Sequence, residues 1–264
     1  MDIQQLKSSK ILVIGDSCID KYHFGECTRL SPEAPAPIFK LITTQESSGM
    51  AGNVNQNLIN LGNDTTLITH KNKITKERFV VTASKQHIMR LDVGECKKTI
   101  PVRFNEDTDF KKYDGVVISD YDKGFLDNRS ISSILKMATT ADIPVFVDSK
   151  KRDLSCYKNC FLKINENEFD SMKRAPHNCE IIITLGKSGA RYKNRVYEAH
   201  PSEIDSTGLP SNVCGAGDTF LAALVTSYLT DKRIDRAIEF ANFCASVAVK
   251  NFGTYVIKKE DLEK

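Results

Sequence analysis

Short apolar runs alternate with segments of helical periodicity along most of the chain. The first run, residues 11–14, is closed by Gly15 and is typical of a buried parallel strand whose carboxyl end opens a site. From Gly115 onward, strand-like runs at 116–118, 145–147, 161–162 and 181–183 alternate with helices at 128–141 and from Glu166. Such alternation predicts an α/β fold, with a doubly wound, mainly parallel sheet flanked by helices.

Two segments depart from this alternation and predict a small β lid. Residues 22–44 alternate in polarity and contain three prolines, which indicates edge strands and turns outside the main sheet. Residues 74–92 have the pattern of a hairpin. We therefore expect a lid formed by about residues 21–45 and 74–93.

The remaining segments predict elements of the main layer. A helix is expected within 49–62, with Gly62 as its C-cap, and a short strand at 66–69. Residues 215–251 read as two helices, and the second is amphipathic. We expect a single domain over residues 1–264.

Composition narrows the class of protein. The 264 residues are 41% hydrophobic and 27% charged, which is typical of a globular protein with a full core. Because 37 basic residues nearly balance 34 acidic ones, nothing indicates nucleic acid or a membrane surface as a partner. No leader or membrane-spanning run is recognisable, so we expect a cytoplasmic enzyme. The eight cysteines are scattered and are interpreted as reduced thiols.

The strongest chemical signal precedes the first of the two C-terminal helices. Gly215, Ala216 and Gly217 are small enough for their backbone N–H groups to approach an anion at the helix start. Asp218 would then be a carboxylate placed to accept a proton from an attacking hydroxyl. The alternative is a tight turn with Asp218 as a helix cap. A dinucleotide fingerprint is less well supported, because Phe220 replaces its last glycine.

With these residues the chain resembles the ribokinase-like (PfkB) sugar kinases, whose C-terminal signature contains Gly-Ala-Gly-Asp. Gly15 and Asp16 with Asp20 resemble the first strand of that family, and residues 49–53 resemble its glycine-rich N-terminal signature. Segments 28–35, 90–92 and 119–124 are similar to the kinases of D-glycero-D-manno-heptose 7-phosphate within the family. The resemblance extends from about residue 11 to residue 261 and implies a ribokinase-like fold with a β lid.

The resemblance also implies ATP and Mg²⁺ as cofactors and a role for each matched residue. Asp218 would be the catalytic base, with the backbone of Gly215, Ala216 and Gly217 as the anion hole. Asn165 and Glu168 would organise the water network around Mg²⁺ and phosphate, so that Glu168 acts on the metal through water. The remaining nucleotide-binding candidates are Thr184, Gly186, Gly189 and Asn242, the last beside adenine.

On the acceptor side, the resemblance implies that Asp16, Asp20, Gly49 and Asn53 bind sugar hydroxyls. Arg29, Arg90 and Lys123 would hold the 7-phosphate, a task suited to arginine because its fork meets phosphate oxygens in pairs. Considered singly, each cation is more often a solvated surface charge. The same holds for the pair Asn165 and Glu168, and the nucleotide loop equally resembles a plain turn.

Several departures from the family pattern affect these expectations. The chain is short between Thr69 and Ile74, where a helix and a strand would be expected. Met50 replaces a glycine and would crowd the sugar pocket. Asn212 stands where an aspartate linked to a monovalent cation is common, and Cys214 replaces a threonine, so we expect weak or no K⁺ dependence. We expect no nucleotidyltransferase module after Lys264, and therefore a separate adenylyltransferase that would complete ADP-heptose.

Together these inferences predict an ATP-dependent carbohydrate kinase. It would transfer the γ-phosphoryl group of ATP to the anomeric hydroxyl of D-glycero-D-manno-heptose 7-phosphate and give the 1,7-bisphosphate. A homodimer through the lid is expected. The alternatives are a ribokinase-like kinase for another sugar or sugar phosphate, and a catalytically degenerate sugar-phosphate-binding protein.

Overall fold

The computed structural model describes residues 6–95, 99–105, 108–200 and 214–262. Asn212 and Cys96, which the sequence analysis singled out or counted, lie outside this part of the chain. The strands are β1 Lys10–Gly15, β2 Ser17–Leu30, β3 Pro37–Met50, β4 Asp64–Ile68, β5 Thr75–Val81, β6 His87–Val93, β7 Gly115–Asp120, β8 Val145–Ser149, β9 Phe161–Asn165, β10 Glu180–Thr184, β11 Ala190–Tyr192 and β12 Arg195–Tyr197. The helices are α1 Ala51–Asn60, α2 Asn128–Thr140, α3 Glu166–Asp170, α4 Ala216–Asp231 and α5 Ile234–Val249.

The main sheet has eight strands in the order β12-β11-β10-β9-β8-β7-β1-β4. The six from β10 to β4 are parallel, and β11 and β12 continue the sheet antiparallel beyond β10. The predicted mainly parallel sheet is therefore confirmed. Because the carboxyl ends of parallel strands lie at one edge, the polar residues that end β7, β8, β9 and β10 converge there with Asp16, which follows β1.

Both faces of this sheet are buried, which explains the continuous apolar runs. Ile11 and Val13 of β1 point into a core shared with α1, α4 and α5. Leu12 and Ile14 point into a second core that includes α2. Helix α4 is apolar on most of its circumference, because it packs between the sheet and its neighbours α1 and α5. The arrangement is a three-layer α/β/α sandwich.

The short segment after Thr69 leaves β4 as one edge of the main sheet. The strand spans Asp64–Ile68 rather than the predicted 66–69, and its polar residues Asp64 and Thr66 are exposed. Five residues with a polar start make a short edge that offers little surface for pairing with another chain. His70 then occupies the turn, where its Nε2 atom accepts the backbone N–H of Ser17 at 3.3 Å.

A second sheet, of four strands in the order β3-β2-β5-β6, stands on the main layer. β2 and β3 are each 14 residues long and pair antiparallel, and β5 and β6 form the predicted hairpin. The prediction of edge strands is wrong for β2, which lies between β3 and β5. The prolines lie in or beside the turn that joins β2 to β3, so they interrupt no ladder in the middle of the sheet.

The cysteines agree with the prediction of thiols as far as they are described. The structure has no disulfide among the residues that it describes.

Helix α1 ends at Asn60, and Gly62 follows with φ +94°, the left-handed conformation expected just beyond a helix end.

Candidate active site

The amino end of α4 lies at the carboxyl edge of the main sheet and presents the Gly-Ala-Gly-Asp element. Gly215 caps the helix with φ +81°, and a Cβ there would lie 2.8 Å from Nδ2 of Asn53. Glycine is therefore required at this position by both its backbone angle and its neighbour. Ala216 and Gly217 form the first turn, where backbone N–H groups lack partners within the helix. This is the geometry of an anion hole.

Asp218 lies in the same first turn, and it is 3% exposed. Its carboxylate accepts hydrogen bonds from the Tyr121 hydroxyl at 2.7 Å and from Asn53 Nδ2 at 3.0 Å. Burial raises the pKa of Asp218 to about 6, although the bonds from Asn53 and Tyr121 lower it. A carboxylate with this pKa is ionised at neutral pH and still accepts a proton readily, as a general base must.

Two of these contacts change the interpretation of single residues. Asn53, predicted to bind sugar, contacts the expected base directly, and its Oδ1 is held by Asn57 at 3.0 Å. The sequence indicated Tyr121 only as a member of the segment 119–124, whereas in the structure its hydroxyl donates to Asp218 and orients it. The two partners are 97 residues apart, so no local spacing could have paired them.

The predicted sugar carboxylates lie beside this centre, at the end of β1 and the start of β2. Asp16 is fully buried, and its Oδ2 accepts the backbone N–H groups of Tyr121 at 3.0 Å and Lys123 at 3.2 Å. Its Oδ1 atom is buried without a hydrogen-bond partner in the described part of the chain, and burial raises the pKa of Asp16. A buried acceptor of this kind fits a ligand hydroxyl.

Asp20 has protein partners on both oxygens. Arg78 Nη1 contacts Oδ1 at 2.5 Å, and Thr254 donates to Oδ2 at 3.0 Å. Gly49 is adjacent, where a Cβ would lie 2.3 Å from Asp20 Oδ2. The glycine therefore allows β3 to pass close to the Asp20 carboxylate. This is a structural reason for Gly49 that is independent of the predicted contact with sugar.

Arg78 was not identified from the sequence. It lies on β5, is 7% exposed, and its guanidinium stands 5.1 Å from the centroid of the Tyr22 ring. Its Nη2 donates to Cys214 Sγ at 3.5 Å, beside the anion-hole loop. Arg78 therefore links the second sheet to the loop that precedes α4. The sequence did not predict its burial, because Arg78 follows the charged residues Lys76 and Glu77 in β5.

A chain of charges extends from the anion hole toward α3. Lys163 of β9 contacts Asp148 Oδ2 at 2.7 Å, and Lys150 contacts Asp148 Oδ1 at 3.1 Å. Lys150 also contacts Glu168 Oε1 at 2.7 Å. The lysines lower the pKa of Asp148 below its ordinary value although burial alone would raise it. None of the three residues Asp148, Lys150 and Lys163 was singled out from the sequence.

Asn165 and Glu168 form a capping box at the start of α3. Asn165 Oδ1 accepts the Glu168 N–H at 2.8 Å, and Glu168 Oε2 accepts the Asn165 N–H at 2.8 Å. The Asn-x-x-Glu spacing thus has a structural explanation in addition to the predicted role toward Mg²⁺.

The residues around Glu168 are suited to contact Mg²⁺ through water rather than to bind it directly. Among the described residues, no cluster of three or more histidine, cysteine, aspartate or glutamate side chains could hold a metal directly. Glu168 is partly exposed and already engaged by Lys150 and the Asn165 backbone. Because Mg²⁺ retains waters and binds substrate phosphates, Glu168 fits it as an outer partner.

The nucleotide candidates follow β10. Thr184 ends that strand, Gly186 begins a short 3₁₀ turn, and Gly189 follows the turn. At Gly189, with φ +94°, a Cβ would lie 2.1 Å from the Tyr197 carbonyl oxygen, so the turn requires glycine. Asn242 is buried on α5, and its Nδ2 donates to the Tyr197 and Glu198 carbonyl oxygens at 2.8 and 3.1 Å. That contact fixes β12 against α5.

Of the three cations predicted to hold the 7-phosphate, Arg90 and Lys123 are neighbours and Arg29 lies apart. The hydrogen bond from Arg90 lowers the pKa of Asp92, and the charge of Lys123 contributes to the same shift. Arg29 is exposed near the far end of β2. Arg90 forms a bidentate contact with Asp92, and Lys123 forms an ion pair with Glu95 at 2.7 Å. Lys123 is joined to the centre directly, because its backbone N–H donates to Asp16 Oδ2 at 3.2 Å. Arg90 lies opposite Arg78 in the register of β5 and β6.

Met50, which stands where the family pattern has a glycine, has a positive φ angle. Its φ of 58° and ψ of −133° lie in a region that residues with a side chain rarely adopt. The side chain is 3% exposed and packs with Cys18 and Ile74, next to Tyr121. The expected crowding near the sugar carboxylates is consistent with this position.

The structure thus has a buried carboxylate of raised pKa, a helix start whose backbone N–H groups suit an anion, and a second sheet beside the carboxyl edge of a parallel sheet. A phosphotransferase that acts on a small hydroxyl compound needs such groups. Residues 63–261 match the model of the pfkB family carbohydrate kinases. The chain belongs to this family, and the prediction of a carbohydrate kinase is confirmed.

Curated relatives agree with this assignment. The chain is 28% identical to a bifunctional protein HldE of Aliarcobacter butzleri over 302 aligned residues, covering 94% of this chain and 62% of the relative. It is 30% identical to the bifunctional protein HldE of Nitratiruptor sp., covering 97% of this chain and 64% of the relative. The chain spans less than two thirds of the length of these relatives. Both alignments are longer than the chain, so the relatives contain segments that it lacks.

Solved structures share the fold. Phosphofructokinase-2 from Escherichia coli in complex with potassium superposes with a TM-score of 0.70 at 16% identity, covering 97% of each chain. Arabidopsis thaliana ribokinase complexed with ribose and ATP gives a TM-score of 0.66 at 15% identity, covering 97% of this chain and 98% of that one. The ribokinase-like fold prediction is confirmed. Separately, none of the helices in the described ranges has the length and apolar character needed to cross a membrane.

Proposed function

We propose that this protein phosphorylates the anomeric hydroxyl of D-glycero-D-manno-heptose 7-phosphate with ATP and releases the 1,7-bisphosphate and ADP. The observation that carries the reaction type is Asp218, a buried carboxylate with a pKa of about 6 in the first turn of α4. The choice of acceptor is supported by the similarity of segments 28–35, 90–92 and 119–124 to heptose 7-phosphate kinases and by the matches to the HldE proteins.

In this mechanism the side chains hold and move one proton. The Asp218 carboxylate accepts the proton of the anomeric hydroxyl while that oxygen attacks the γ-phosphorus and the bond to the ADP oxygen breaks. Tyr121 and Asn53 keep the carboxylate oriented during the transfer. The free oxygen of Asp16 accepts a hydrogen bond from a neighbouring sugar hydroxyl.

The charge that develops on the phosphoryl oxygens is met by the anion hole. The amides of Gly215, Ala216 and Gly217 point outward from the start of α4 and need no rearrangement to receive an anion. Mg²⁺, when bound to the ATP phosphates, would neutralise part of their charge, with Glu168 as its partner through water. The lid excludes water from this site, which limits hydrolysis of ATP.

A substrate comparison tests the proposal. We would measure ADP release from Mg-ATP with heptose 7-phosphate, fructose 6-phosphate, ribose and fructose, for wild type and Asp218→Asn. Asp142→Asn is the matched control, because Asp142 is exposed beyond the end of α2 with φ 55°, a conformation that asparagine tolerates. We expect heptose-dependent turnover in wild type and control and a loss of more than a thousandfold in Asp218→Asn.

The other outcomes decide between the alternatives. Preference for another acceptor would retain the mechanism and replace the substrate. Binding of heptose 7-phosphate without turnover with any acceptor would indicate a degenerate binding protein. Replacing K⁺ by Na⁺ in the same assay tests the proposal of weak monovalent-cation dependence, which an increase of tenfold or more with K⁺ would contradict.

A further inference from the structure

We propose that Lys163 is a catalytic residue that binds the γ-phosphoryl group of ATP at the start of α4, and that Lys150 keeps Asp148 neutralised when Lys163 turns to the phosphate. This inference rests on the proposed function, because it assigns a further residue to the same reaction.

The burial of Lys163 is the first observation. Lys163 is the only charged residue of β9, a strand in the middle of the main sheet, and it is 3% exposed. Its partner Asp148 is 1% exposed. Removing two charges from water costs several kcal/mol each, and an apolar pair of similar size would serve stability equally well. An ion pair at this depth therefore suggests a task other than packing.

The position of the ammonium group is the second observation. A Cβ on Gly217 would lie 2.8 Å from Lys163 Nζ, so the ammonium touches the backbone of the anion hole. The start of a helix carries a partial positive charge, and a lysine beside it is unfavourable unless an anion lies between or next to them. Lys163 also lowers the pKa of Asp218 through its charge. The group that is close to both Gly217 and Asp218 during the reaction is the transferred phosphoryl.

The two lysines around Asp148 reduce the free-energy cost of moving the Lys163 ammonium group toward a phosphate. Asp148 contacts Lys163 through one oxygen and Lys150 through the other, at 2.7 and 3.1 Å. Lys150 is in turn held by Glu168 at 2.7 Å. When the Lys163 ammonium leaves for a phosphate oxygen, Asp148 retains Lys150 as a counter-charge. No carboxylate is left buried and unpaired, which is the state that would oppose the change.

The test compares nucleotide affinities rather than turnover alone. Isothermal titration of Mg-ATP and Mg-ADP, without acceptor, would be carried out on wild type, Lys163→Met and the exposed control Lys158→Met. A residue that binds the γ-phosphoryl affects ATP and not ADP. We expect Lys163→Met to weaken ATP binding about 10- to 100-fold and ADP binding less than threefold, with Lys158→Met unchanged in both.

Folding is controlled independently. Because Asp148 keeps Lys150, Lys163→Met should retain the circular dichroism spectrum of wild type, and Lys163→Gln provides a variant that still donates to Asp148. Equal weakening of ATP and ADP in both variants, or no weakening in either, would overturn the role of Lys163 while wild-type turnover leaves the proposed function intact. Wild type that binds neither nucleotide would overturn both.

Discussion

At the scale of single residues, the proposed mechanism requires the carboxylate of Asp218 to be ionised although it is almost inaccessible to water. Asp218 is 3% exposed, so burial opposes its charge, and the nearby Asp148 opposes it as well. The hydrogen bonds from Asn53 and Tyr121 and the charge of Lys163 act in the other direction. The balance leaves the pKa at about 6, above that of a solvated aspartate and below neutral pH.

This pKa predicts the pH dependence of turnover. The base acts when ionised, so kcat/KM should fall as the pH decreases through about 6, with a slope of one proton. The measurement is ADP release between pH 4.5 and 8.5 at low acceptor concentration, with Asp142→Asn as the control that keeps the profile. An acid limb near pH 4, the ordinary position for an aspartate, would contradict the assignment of Asp218 as the base.

Removing the Tyr121 hydroxyl should move that limb. Tyr121→Phe loses the 2.7 Å bond that lowers the pKa of Asp218, so the limb is expected at higher pH, and kcat at pH 7 about tenfold lower. Tyr255→Phe is the matched control, because it removes a 2.7 Å bond to Asp261, an acid outside the site described here. A lower kcat with an unshifted limb in Tyr121→Phe would assign the tyrosine another role.

How far the sequence predicted these residues depends on the distance between partners along the chain. Asp218 and its glycines are contiguous, so a single motif carried them. Tyr121 meets Asp218 across 97 positions and Arg78 meets Asp20 across 58, and only folding brings these groups together. The role of Lys163 was not predicted for another reason. It is a single lysine in an apolar strand, and the sequence does not show that Asp148 is its partner.

At the scale of elements, local signals predicted the strands and helices of the main layer, because burial on both faces gives continuous apolar runs. The lid strands were predicted less well. β2 is buried on one face where it meets the core and exposed near Leu30, so its pattern changes along its 14 residues. Strand order is a property of the whole sheet, and it decides whether a strand such as β2 lies at an edge.

Helix α2 offers a test of an element away from the site. Asp127 caps it by accepting the Ser130 N–H at 2.8 Å, and Arg103 holds the same carboxylate. Asp127→Ala should lower the free energy of unfolding by about 1–2 kcal/mol with kcat unchanged. Urea denaturation measures the first and the kinase assay the second. Asp64→Ala, at the exposed start of β4, is the control and should change the free energy of unfolding by less than about 0.5 kcal/mol.

The cap at Asp127 also predicts how the stability of the protein changes with pH. Its interactions hold the pKa of Asp127 below the ordinary value, although burial alone would raise it. Its contribution is therefore complete above the pKa of the unfolded chain and is lost as the pH falls below that value. The difference in stability between wild type and Asp127→Ala should shrink on acidification from pH 7 toward pH 3. A constant difference over that range would contradict the cap.

At the scale of the whole molecule, the lid has one face toward the core and one toward solvent. Tyr22 and Phe24 on the inner face contact Phe252, which follows α5. On the outer face of β6, Met89, Leu91 and Val93 are 51%, 44% and 44% exposed at every second position. A row of exposed apolar side chains on a sheet is typical of a surface that another molecule covers.

These exposed residues give the proposal of a homodimer through the lid a direct test. Sedimentation of wild type should give twice the mass of one chain, and the double variant Met89→Glu, Leu91→Glu should give the mass of one, because two buried carboxylates per protomer would oppose the contact. Ile59→Glu on α1 is the control, since Ile59 is similarly exposed at 43% and lies outside the lid. A double variant that remains dimeric would show that the lid face is not the contact. If wild type itself sediments as one chain, the apolar row on β6 needs no partner, and the dimer proposal is withdrawn.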